Sequence, residues 1–179
     1  MTVILALDLG FAALGWVSLD VETGTAREAN VIRTVKSNKK RGVRVADDDC
    51  RRCVEQARAL DALLVHHRPA CVVAEVPTGG SLSARATRAM ALGTGIAVAV
   101  LAVRGVPCVY VQPRDGKLAA TGNAGASKED VEAAVMHRVP GVSALLNAAK
   151  RADREHIADA IAAWLAARGD QVVMMAARR

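Results

Sequence analysis

The chain has 179 residues, 52% of them hydrophobic but only 2% aromatic, and carries a formal net charge of +6. That length suits one ordinary domain that buries its own core without staples. So few aromatics argue against a surface built on base stacking, whereas the basic balance favours a polyanionic partner, nucleic acid being the usual one.

Residues 3–10 read Val-Ile-Leu-Ala-Leu-Asp-Leu-Gly. Such a run predicts a strand covered on both faces, in which an ionised Asp8 needs a metal ion, a buried cation or backbone amides to compensate it. Trp16 to Val21 alternates, residues 22–25 read as a turn, and a third strand returns over 29–35, so the sheet is expected to start antiparallel. Lys36, Lys39, Lys40, Arg41 and Arg44 follow with almost nothing apolar among them, the pattern of a solvated loop able to touch phosphates.

Apolar residues then recur as Cys50, Cys53, Val54, Ala57, Leu60 and Leu64, which predicts a helix over 46–67. Cys71 to Val76 is a second apolar run interrupted by an acid, Glu75, ahead of the breaker Pro77-Thr78-Gly79-Gly80. If the two runs lie parallel, each delivers a carboxylate to the same sheet edge. Residues 81–104 predict a long helix with Arg85 and Arg88 near its start. Gly93 and Gly95 inside it each cost roughly 1 kcal/mol against Ala, which implies close packing on the sheet or a second subunit, or a break. Residues 106–111 predict another strand, and 112–127 a polar, glycine-bearing loop carrying Arg114 and Lys117. Lys128 opens a helix to about Arg138.

In the last helix Asp153 is the expected cap, and Ile157, Ala160, Ile161, Trp164 and Leu165 form an apolar stripe. His156 and Asp159, three apart, stand together at its border. Residues 1–169 read as one domain and 170–179 as a tail or a short added strand.

The thiols Cys50, Cys53, Cys71 and Cys108 are expected to be reduced and cytosolic, because the apolar start lacks a basic flank and is broken by Asp8. The longest apolar run, 96–103, falls short of the ~20 residues of a membrane span, so no membrane association is expected. Cys50-x-x-Cys53 with His66-His67 superficially suggests a zinc finger, but adjacent histidines on one continuous helix do not fit that pattern.

Asp8, Glu75, His156 and Asp159 are the set of hard-metal ligands that this coarse fold gathers, two from strand ends and two from one helix face. Carboxylates with one imidazole suit a pair of Mg²⁺ or Mn²⁺ ions and phosphodiester hydrolysis. Singly, each has a plainer explanation as a hydrogen-bonded structural group.

In its order of elements the chain resembles the RuvC-type Holliday junction resolvases of the RNase H-like superfamily. The resemblance rests on Ala6-Leu7-Asp8-Leu9-Gly10 with Gly15, on Val73-Ala74-Glu75, on Ala91-Leu92-Gly93 through Gly95-Ile96-Ala97, on Lys117 and Lys128, and on His156-x-x-Asp159-Ala160. It implies an α/β fold, an RNase H-like mixed five-stranded sheet flanked by helices. It also implies that Asp8 bridges two Mg²⁺ ions (or Mn²⁺), that Glu75 holds one and Asp159 with His156 the other, and that Lys117 and Lys128 contact phosphate. Lys36, Lys39, Lys40, Arg41, Arg44, Arg85, Arg88 and Arg114 are the further expected DNA contacts. The implied partners are branched DNA, a second copy of the chain in a homodimer and a branch-migration helicase, in the cytoplasm of a bacterial or phage-infected cell.

Two departures qualify this. His156 stands where several resolvases have Asp, and the aromatic that usually follows the acidic strand is missing from Val76-Pro77-Thr78-Gly79-Gly80. A relaxed nuclease for flaps, forks or RNA-containing substrates, and a non-catalytic junction-binding scaffold, are the alternatives. An actin-like nucleotide-binding fragment shares the Asp8-x-Gly10 strand but lacks a second phosphate motif.

Overall fold

The computed structural model describes residues 2–38, 42–78 and 83–178. Lys39, Lys40 and Arg41 of the basic stretch, together with residues 79–82, lie outside that set.

Strands β1 (Val3–Asp8), β2 (Ala13–Asp20) and β3 (Ala26–Arg33) form an antiparallel meander. β4 (Cys71–Glu75) and β5 (Cys108–Val111) then add in parallel on the other side of β1. The resulting mixed five-stranded sheet has the order β3-β2-β1-β4-β5. β1 is central and covered on both faces, as its continuous apolar run requires: Ile4, Leu5, Ala6 and Leu7 are all fully buried. Each such Leu or Ile contributes about 1.5–3 kcal/mol over leaving it exposed.

The pleat sends alternate residues to two helical layers. Leu5 and Leu7 pack with Leu60, Leu64 and Leu101, from α1 (Val45–His67) and α2 (Ala84–Arg104). Ile4, Ala6 and Val73 pack with Ile157, Ile161 and Trp164 of α6 (Arg151–Ala167). Around α6 lie α3 (Pro113–Thr121), α4 (Lys128–Arg138) and α5 (Val142–Ala148), while α7 (Gln171–Ala176) packs against β4 and β5.

Several elements differ from the sequence expectation. Residues 113–121 are helix rather than loop: Pro113 opens α3 with its preset φ, and Gly122 closes it in the left-handed conformation at φ 79°. Residues 171–176 are helical, not an added strand, with Val173 and Ala176 buried on the core. Lys150, not Asp153, is the N-cap of α6; Asp153 sits inside the first turn. The buried face of α1 begins with Arg52 and Gln56, while Cys50 and Val54 face solvent.

The helix α2 is unbroken, and by length and composition it is the one helix among the described residues apolar enough to cross a bilayer. The 96–103 run alone conceals this. Gly93, Ala97 and Leu101 nevertheless lie buried in the domain, and a Cβ at Gly93 would stand 3.0 Å from the Phe11 nitrogen. Close packing therefore explains Gly93, whereas Gly95 faces open space.

Candidate functional site

Asp8 closes β1, with Gly15 as its register partner on one side and Glu75 on the other. Because β1 and β4 run parallel, the two acids end their strands side by side. Both share the parity of Ala6 and Val73, so their side chains face the α6 layer. Glu75 is only 8% exposed.

α6 supplies the other two groups. It crosses β2 at Gly15, where any Cβ would run into the carbonyl oxygen of His156. The missing side chain lets the helix backbone settle directly on the sheet beside Asp8. Arg33 of β3 fixes the start of α6 through an ion pair with Asp153 and a 3.0 Å hydrogen bond to the Ala152 carbonyl. From this seat His156 brings its Nδ1 to 2.7 Å from Asp8 Oδ2, and Asp159 follows less than one turn later. The structure thus brings Asp8, Glu75, His156 and Asp159 together.

The electrostatics of the group are those of charge with too little compensation. Burial pushes the Glu75 carboxyl up to about 8, helped by the charges of Asp159 and Asp8 and opposed by Lys117. Burial likewise raises Asp159 to about 7, with Asp8 and Glu155 adding to it and Lys128 and His156 opposing. His156 is raised, chiefly by its hydrogen bond to Asp8. No hydrogen-bond donor figures among the causes acting on Glu75 or Asp159. A hard divalent cation would compensate carboxylates this desolvated, and three carboxylates with one imidazole form a donor set that suits Mg²⁺ or Mn²⁺.

Both lysines are near but engaged. Lys117 Nζ donates to the Ala126 carbonyl at 2.8 Å, tying α3 to the loop after it. Lys128 forms an ion pair with Glu155, a further carboxylate beside the group that sequence reading missed. Lys36, Arg85 and Arg88 line a cleft of about 630 Å³ between the starts of α1 and α2, next to Phe11 and Ala12. Arg88 is paired there with Asp49 at 3.1 Å. Arg44 caps α1 from outside that cleft's lining. Arg114 is exposed three residues beyond Val111, the register partner of Glu75.

Sequence reading also missed the residues that hold the turn after Asp8. Arg52, 2% exposed, lies with its guanidinium carbon 4.2 Å from the Phe11 ring centroid and donates to Thr34 Oγ1 at 3.1 Å. Thr34 Oγ1 in turn donates to the Phe11 carbonyl at 2.7 Å. Gln56 Nε2 donates to the Gly10 carbonyl, also at 2.7 Å. The signal in the sequence was their four-residue spacing ahead of Leu60 and Leu64 on the buried face of α1.

No protein-family model matches the chain, and no curated protein matches it in sequence. Its fold is that of RuvC. A structure of Thermus thermophilus RuvC in complex with a Holliday junction substrate is 23% identical, covering 93% of this chain and 92% of that one at a TM-score of 0.69. A second Thermus thermophilus RuvC structure is 22% identical over 92% of each chain, with a TM-score of 0.68.

Proposed function

We propose that the chain is a metal-dependent endonuclease for branched DNA, cutting phosphodiester bonds at four-way junctions as a homodimer. The observation that carries this is the paired ending of β1 and β4. It sets two carboxylates side by side beneath His156 and Asp159, in a group too poor in positive partners to stay ionised on its own. The likeness to RuvC in fold supports the choice of substrate.

Asp8, Glu75 and Asp159, with His156, would hold two Mg²⁺ or Mn²⁺ ions. Bound there, the ions would supply Lewis acidity at the scissile phosphate. Asp8 lies between Glu75 and His156 and is the natural shared ligand. His156 Nδ1, the ring nitrogen 2.7 Å from Asp8 Oδ2, faces the group, and giving up that hydrogen bond would free it to hold a cation beside Asp8 or to take a proton from the attacking water. Lys128, released from Glu155 when a phosphate arrives, and Lys117 beside Glu75 would offset charge that grows on the phosphoryl oxygens. Lys36, Arg85 and Arg88 would guide the backbone along the neighbouring cleft.

A second copy would sit on α2. That helix leaves Val98 and Val103 42% and 87% exposed, and a junction presents two symmetry-related strands to cut.

One observation favours a broader substrate range. Val76, Pro77 and Thr78 follow β4 with no aromatic, and Phe11 is buried under Arg52. Stacking on an unpaired base is worth about 1–3 kcal/mol, and residues 76–78 offer no ring for it. Labelled four-way junction, duplex, flap and RNA–DNA hybrid substrates separate the readings. Paired nicks near the junction centre in Mg²⁺ or Mn²⁺ but not EDTA support the resolvase. Equal cutting of flaps or hybrids moves the reading to a relaxed nuclease, and binding without any cleavage to a scaffold.

A further inference from the structure

We propose that Glu28, His66 and His67 form a second metal site, for a borderline transition ion such as Zn²⁺, which clamps the end of α1 to the edge strand β3. This site is independent of the nuclease reading.

The ligand atoms of the three side chains all lie within 4.8 Å of one another. Zn–N and Zn–O bonds of about 2.0–2.2 Å bring tetrahedral donors to roughly 3.3–3.5 Å apart. Glu28 and His66 are exposed, so the remaining closure is within reach of their side-chain rotations. The His67 ring is already seated, its centroid 5.2 Å from that of Trp16 and 4.7 Å from that of His66. Burial, together with neighbouring His66, lowers the pKa of His67 against the pull of Glu28, and the neutral imidazole is the ligand form.

A second feature favours a cation at this place. His66 and His67 end α1, where the helix dipole and the last carbonyls present negative partial charge. Two imidazoles and one carboxylate also form a donor set that holds Zn²⁺ with one position left for water, whereas Mg²⁺ favours a shell in which oxygen donors predominate.

The zinc-finger pairing with Cys50 and Cys53 is ruled out by geometry. Thirteen residues of helix separate Cys53 from His66, about 20 Å at 1.5 Å per residue. Glu28, which no spacing on α1 reveals, takes the place of the thiols.

The two metal-capable groups do not overlap. Glu28 is paired through Ser18 with Leu5, on the sheet face covered by α1, while Asp8 faces α6. Three residues along the strands and two strands across place their backbones roughly 14 Å apart.

The test uses the full chain carrying Asp8→Asn and Asp159→Asn, to silence the sheet-end group, titrated with Zn²⁺ against a chromophoric chelator and melted with and without the ion. One Zn²⁺ per chain and a raised Tm are expected. His66→Ala and His67→Ala should each weaken binding by at least the roughly 10–100-fold that losing an outer-shell partner costs, and abolish the Tm rise. The same two substitutions in the wild-type chain should leave cleavage in Mg²⁺ unchanged. Should His67→Ala fail to fold for want of its Trp16 contact, exposed His66→Ala carries the test. No bound Zn²⁺, or binding that survives His66→Ala, overturns the proposal.

Discussion

The group at the end of β1 and the group at the end of α1 are built from the same residue types, yet their surroundings set them apart. Glu75 and Asp159 lie among core residues of the α6 layer, and burial drives both carboxyls far above their ordinary range. Glu28 and His66 lie exposed to solvent, and His67 beside them is half-buried. The first group, with two carboxyls driven up by burial, is therefore the more costly to the metal-free fold. Stability traded for a charged, desolvated cluster is a mark of a site.

The sharpest test of that contrast is Asp159→Asn. It is expected to lower metal-dependent cleavage by about 10³-fold or more, some 4 kcal/mol in activation free energy. The metal-free protein should at the same time become more stable, because the substitution removes a buried carboxyl whose burial and neighbouring Asp8 outweigh the opposing charges of Lys128 and His156. A rise on the order of 1 kcal/mol appears as about 2–4 °C in Tm for a chain of this size. Glu28→Gln should raise neither quantity.

Gly15→Ala comes next. Its Cβ meets the His156 carbonyl, so α6 must lift from β2, at an overpacking cost of about 1–3 kcal/mol. Lower Tm and lower cleavage together are expected, and full activity in a stable Gly15→Ala protein would dismiss the close seat of α6.

The pH dependence is a smaller effect with a definite sign. Glu75 rises from 4.5 to about 8 and Asp159 from 3.8 to about 7, so the folded state binds more protons than the unfolded one between those values. The stability these two groups contribute to the metal-free protein is then fullest below about pH 4 and is lost as pH climbs through 7 and 8. His156, also raised, acts in the same direction. Mn²⁺ should stabilise more at pH 8 than at pH 6, since it no longer has to displace protons; melting at both pH values checks this. The smallest expected effect is at Glu28, where Glu28→Gln in metal-free buffer should change stability by less than about 0.5 kcal/mol.

The sequence made the buried group legible for the reason that makes it costly. An acid inside an apolar strand stands out, and Asp8 and Glu75 both do. His156 and Asp159 are readable because the apolar stripe of α6 is regular enough to locate its border. What stayed hidden depended on contacts made at a distance. Arg52 and Gln56 look like a solvent face until the turn at Gly10 and Phe11 is seen packed beneath them. α3 carries helix signals in Pro113 and Gly122, masked by the interior Gly116, which packs against Glu75 and Ala162. The meeting of Glu28 with His66 and His67 requires the register of β3 on β2, which no local pattern encodes.

The proposed function assigns metal-dependent cleavage to the Asp8 group and most of the DNA affinity to basic residues elsewhere. Cleavage and binding of a synthetic four-way junction by wild type and Asp8→Asn, measured side by side in Mg²⁺, test it most directly. Asp8→Asn is expected to lose cleavage and keep junction binding within a few-fold. Retained cleavage in Asp8→Asn, or cleavage by wild type that persists in EDTA, would contradict it.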